Sequence, residues 1–197
     1  ILFVRGDGDS AYLVVLDNIN PDNGKHNFKW QLQANWHCRI ETEGTTARVL
    51  GDKARIDCHF FNPHPEDFPT CPHSLRVFAD AHPVREPMTG TPTPRPRLVA
   101  EQIGPNAMLM AILAPRRLDQ PPLIVTDKTS ARTFNAYVEH GDYIDQVVYA
   151  CDHSYVRLPD LRASSEVIVV RRRRVTGEVV SSWTIDGNPV VAQPRSR

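Results

Sequence analysis

Phe28-Lys-Trp30-Gln-Leu32-Gln-Ala34-Asn-Trp36-His-Cys38-Arg-Ile40 decides the fold class. Its even positions (Phe28, Trp30, Leu32, Ala34, Trp36, Cys38, Ile40) are apolar, and its odd positions (Lys29, Gln31, Gln33, Asn35, His37, Arg39) are polar. Successive side chains on a strand point to opposite faces, so the pattern predicts a long strand with one greasy face and one wet face. The parity returns in Ala54, Ile56, Cys58 and Phe60 against Lys53, Arg55, Asp57 and His59. On this reading Trp30 and Trp36 both belong to the core rather than to sugar-stacking platforms.

Working outward, Tyr12-Leu-Val-Val-Leu-Asp17 reads as an earlier strand, and turn chemistry stands at Gly6–Asp9, Asn20–Gly24, Gly51-Asp52 and Asp186–Pro189. Further strands are predicted over Ser74–Asp80, Arg97–Ile103, Ala107–Leu113, Leu123–Thr126, Arg132–Glu139, Asp145–Ala150, Val167–Arg174 and Glu178–Ile185. No window carries a convincing 3.6-residue apolar period. The expectation is an all-β chain, a large antiparallel β-sandwich with little or no helix, forming one domain over residues 1–197. The proline-rich stretch 86–96 is expected to be an extended loop.

The bulk numbers narrow the function classes. Lys+Arg and Asp+Glu both number 23, so no global field draws the chain to nucleic acid or to an anionic membrane. No apolar run approaches the roughly 20 residues of a spanning helix. Neither nucleic acid nor membrane is therefore expected as a partner. The chain opens on an apolar strand, which reads as part of a longer polypeptide. Cys38, Cys58, Cys71 and Cys151 form no C-x-x-C pair; Cys38 and Cys58 fall on inward positions, as buried thiols or a disulfide.

Three pieces, Val14-Val-Leu-Asp17, Lys29-Trp-Gln-Leu-Gln33 and Ala54-Arg-Ile-Asp-Cys-His-Phe-Phe-Asn-Pro63, come in an order that resembles the C-terminal β-sandwich of the heparinase II/III-like polysaccharide lyases. Arg97 to Pro115, with its Gly-Pro-Asn turn, is similar to a later sheet of that family. The resemblance implies a periplasmic or secreted parent with an N-terminal helical toroid, acting by β-elimination on uronic-acid-containing polysaccharide. This chain would then support the toroid and line the cleft, without being active alone. The alternative is a non-catalytic carbohydrate-binding or structural module. The family's structural metal site includes the strand-terminal aspartate and the histidine of a Trp-x-x-His motif. Asp17 matches the first, but Gln33 stands at the second, and a glutamine is a poor zinc ligand. His37, on the same polar face four residues on, is the other candidate ligand, so a divalent ion such as zinc would meet a degenerate site and no cofactor is expected.

For acidic polysaccharide the candidate contacts are Lys29, Gln31, Gln33, Asn35 and His37, with Arg55 and His59 on a nearby strand; such donors and acceptors suit carboxylates and hydroxyls. His64, His73, His82, His140 and His153 read as loop or turn residues, and no catalytic constellation can be assembled from sequence. Arg171-Arg-Arg-Arg174 has the composition of an anion-gripping patch. A strand would divide its side chains between two faces, and the run is expected on an edge or solvent-facing strand.

Overall fold

The computed structural model describes residues 1–5, 11–19, 24–62, 75–85, 90–130, 133–151, 155–188 and 190–192. All regular structure among them is strand, and the ladders among β2 to β17 are antiparallel. The chain is all-β. The described residues, apart from Leu2, divide into two compact units at Pro122/Leu123. The turns predicted at Gly6–Asp9 and Asn20–Gly24 lie wholly or almost wholly outside the described residues, as do Cys71, His64, His73 and His153.

The first unit is a two-sheet sandwich. Its larger sheet takes β1 (Leu2–Val4), β2 (Tyr12–Ile19), β4 (Arg39–Glu43), β5 (Thr46–Leu50), β6 (Ala54–Phe61) and β9 (Ala107–Arg117), in the order β1-β2-β9-β6-β5-β4. Its smaller sheet takes β3 (His26–Gln33), β7 (Leu75–Arg85) and β8 (Pro92–Gly104), in the order β3-β8-β7. Val15, Val49, Cys58, Phe60, Leu109 and Ala111 from the first meet Leu98, Ala100, Trp30 and Leu32 from the second in one apolar cluster. The Trp30 and Phe60 rings meet edge to face at 5.3 Å, a favoured aromatic geometry. The predicted parity of Phe28–Leu32 and Ile56–Phe60 is thus the parity of this core.

Two expectations for this unit are corrected. The alternation from Phe28 to Ile40 is not one strand: β3 ends at Gln33, and a turn over Asn35–Cys38 carries the chain into β4 of the other sheet. The Asn35 carboxamide accepts the Trp36 backbone N–H at 2.7 Å, and the Cys38 N–H donates to the Asn35 carbonyl at 2.9 Å. A side chain that caps its own backbone competes with the ladder, which is why an asparagine can end a strand inside an unbroken pattern. The proline-rich 86–96 loop is corrected as well, because Pro92–Pro96 form the first part of β8, paired with Ala81–Arg85. Pro92, Pro94 and Pro96 share one side of the strand. β3 begins to pair only at Arg97, so the missing N–H groups fall where no neighbouring strand asks for them. Residues 86–89 lie outside the described residues.

The second unit has a five-stranded sheet in the order β10-β11-β12-β15-β16: β10 (Ile124–Asp127), β11 (Thr133–His140), β12 (Tyr143–Ala150), β15 (Val167–Arg173) and β16 (Val179–Thr184). β13 (Arg157–Leu158), β14 (Leu161–Ala163) and β17 (Val190–Ala192) make a small sheet. Val148, Ala150, Ile168 and Val170 from the large sheet pack with Val156, Leu161 and Ala163. Gly141, at φ 58°, supplies the left-handed residue of the tight β11–β12 hairpin, a conformation costly for residues with a Cβ.

Candidate functional site

The far face of the three-stranded sheet, turned away from the core, carries three of the seven expected contacts, Lys29, Gln31 and Gln33. On β3 this face presents Asn27, Lys29, Gln31 and Gln33, all exposed. By register the same face continues through Arg95, Arg97 and Glu101 on β8 and Arg76, Asp80 and His82 on β7. Lys29, Arg76, Arg95 and Arg97 therefore stand against Asp80 and Glu101, four cations to two carboxylates. Within that face Arg97 forks onto Asp80 (2.9 and 2.6 Å) and also donates to the Gln31 carboxamide oxygen at 3.1 Å. The hydrogen bonds from Arg97 hold the Asp80 carboxyl below the usual range. Glu101 is held low first by the Asn27 amide, at 3.0 Å, against the opposing effect of burial, with Lys29 at 3.3 Å adding to the shift. His82, expected in a loop, lies on β7.

The Asn35–Cys38 turn follows the end of β3. Trp36, expected in the core, is 68% exposed. Its ring meets that of His37 at 88° with centroids 5.5 Å apart. The turn is anchored behind by the Ala34 N–H and the Gln33 side-chain amide, both donating to the Pro96 carbonyl at 2.9 Å. A large ring is held out on a well-braced turn.

The remaining expected contacts are elsewhere. Arg55 and His59 lie on β6 of the other sheet, on the face opposite Cys58 and Phe60, so the sandwich core separates them from Lys29, Gln31 and Gln33. Arg55 ion-pairs Asp57 at 3.0 Å and donates to the Leu118 and Gln120 carbonyls. Burial pushes the His59 imidazole down, more than the Asp57 charge raises it. Asn35 spends its side-chain oxygen on the turn.

Asp17 and His37 are not brought into a metal centre. Asp17 lines a pocket with Phe28, Trp30 and Gln31, whereas His37 is in the turn beyond the end of β3. Among the described residues no three His, Cys, Asp or Glu groups stand together as metal ligands. That pocket, about 230 Å³, opens between the sheets of the first unit; Ala100, Ala107 and Leu109 give it apolar walls. Sequence reasoning missed it. Its signal was the parity of Asp17 with Leu13 and Val15, which places a carboxylate on the core side of β2. Cys38, Cys58 and Cys151 are free thiols, and burial, with the Asp57 charge, pushes Cys58 up to about 12.

The arginine run is corrected too. β15 lies between β12 and β16, not at an edge. Arg171 forks onto Asp145 at 2.8 Å twice, Arg172 onto Asp160 at 2.8 and 2.9 Å, Arg173 reaches Glu178 at 3.6 Å and Arg174 reaches Glu139 at 3.5 Å. Each guanidinium has its own carboxylate. His140, expected in a turn, closes β11 and is buried, its Nε2 2.9 Å from Asp145. No protein-family model and no characterised protein matches the chain.

Proposed function

We propose that the chain is the β-sandwich part of a heparinase II/III-like polysaccharide lyase, bracing a catalytic toroid and gripping uronate-containing polysaccharide rather than cleaving it. The observation that carries this reading is the exposed row Lys29–Gln31–Gln33 together with the exposed, braced Trp36 in the turn that follows it. Sugar rings have apolar faces that stack on indoles, and a rigid aromatic contributes contact area at little entropic cost. The surplus of positive charge on the same face suits uronate carboxylates, and forked amides suit hydroxyls. The order of the Asp17, Trp30 and Phe60 strands supports the family part of the reading.

The test is retention on immobilised uronate polysaccharide against a neutral polysaccharide of equal length. Salt-sensitive retention of the uronate, weakened about tenfold by Trp36→Ala with the fold intact, is the expected result. Equal retention of both polysaccharides, or indifference to Trp36→Ala, would remove the site. Unsaturated uronate ends released by this chain alone would overturn the non-catalytic role.

A further inference from the structure

We propose that the pocket of the first unit binds a primary ammonium carried on a small ring, such as an amino sugar, with Asp17 as counter-charge. This is independent of the far-face reading, since the pocket lies between the sheets and takes the opposite charge. Asp17 is half-buried, and its carboxylate makes no hydrogen bond or ion pair among the described residues. The other part-buried carboxylates of the unit are matched: Asp57 by Arg55, Asp80 by Arg97, and Glu101 by Asn27 and Lys29. Lys29 lines the pocket, but its ammonium is committed to Glu101. The Gln102 amide nitrogen is committed to the Asn62 side chain and the Met108 carbonyl, both at 2.7 Å.

With the Lys29 ammonium on Glu101, Asp17 is the pocket's unmatched charge among the described residues, beside the aromatic residues Phe28 and Trp30. A carboxylate next to aromatic faces is complementary to a cation, which gains both the charge contact and the ring quadrupole. A uronate or sulfate would meet a like charge. A divalent ion would need several further oxygen ligands, and one carboxylate does not supply them. An ammonium needs few, because its three donors can be shared between Asp17 and solvent. The volume is below that of drug-sized sites, so it suits one six-membered ring, whose carbon face would lie on Ala107 and Leu109.

Calorimetric titration of the full chain with glucosamine, N-acetylglucosamine, glucose and cyclohexylammonium tests this. Glucosamine should bind at least about tenfold more tightly than glucose or N-acetylglucosamine, which share its ring but lack the charge. Cyclohexylammonium binding as well as glucosamine would place the selectivity in the ammonium; glucosamine binding better would add the hydroxyls. Asp17→Asn, nearly isosteric, should abolish the preference without changing polysaccharide retention. Glucose or N-acetylglucosamine binding as tightly as glucosamine overturns the proposal, and so does the absence of binding by both ammonium compounds. These comparisons use the unaltered chain, so they decide the matter even where the variant fails to fold.

Discussion

The two units treat polar side chains on a strand in opposite ways. In the first, the polar row of β3 stays at the surface, and its turn pushes a tryptophan into solvent. In the second, the most highly charged run in the chain is absorbed: Arg171 is buried on Asp145 and His140, and its three neighbours each find a carboxylate. Composition would have put the anion-binding surface at the arginines. Charge matched one to one within the fold is not offered to a ligand, so the far face of the β3 sheet, where four described cations stand against two described carboxylates, is the better candidate.

The largest effect should come from breaking the absorbed network. Asp145→Ala leaves Arg171 buried without its partner and should cost about 3–5 kcal/mol in denaturant unfolding. Replacing the pair by apolar residues, Asp145→Leu with Arg171→Met, should recover much of that loss. No recovery would mean that Arg171 matters for more than its charge. The two tryptophans of β3 and its turn sharpen the contrast. Trp30→Ala removes a ring packed on Phe60 and should cost about 3–5 kcal/mol, whereas Trp36→Ala should stay within about 0.5 kcal/mol while weakening saccharide retention.

Acid separates the units more gently. Burial alone would raise the Asp145 carboxyl, but hydrogen bonds from Arg171 and His140 outweigh it and hold the group below the ordinary carboxylate range. Its contribution is therefore fully present above about pH 4 and is lost as pH falls through the depressed value. Melting temperature should fall more steeply below about pH 4 in the unaltered chain than in Asp145→Asn. A parallel fall in both would show that other carboxylates govern the acid transition. The smallest effect concerns thiols: at pH 8 under native conditions, alkylation followed by peptide mapping should leave Cys58 unmodified, since its thiolate is scarce.

Much of the strand inventory was legible because period two is a local property. Ala107–Leu113, Asp145–Ala150 and Val167–Arg174 agree with β9, β12 and β15 to within a few residues. The β3–β4 break was not legible, because Trp36 and Cys38 continue the apolar parity through a turn set by the Asn35 side chain. The first part of β8 was hidden by its prolines, which a strand tolerates when the side they face has no neighbour. Of the candidate site, Lys29, Gln31 and Gln33 could be placed together because they share one strand face; Arg55 and His59 could not be excluded, because parity does not say which sheet a strand joins.

By itself, the sequence determined the class of the fold and the inward face of each strong strand, since alternation and apolar burial act within a few residues. Only the tertiary structure decided which strands became neighbours. That choice separated Arg55 from Lys29, matched each arginine of the 171–174 run with an acid, and left Asp17 facing a pocket with no partner among the described residues. Pairing between residues as far apart as Leu13 and Leu113, 100 positions, is set by sheet order, and no local pattern encodes it.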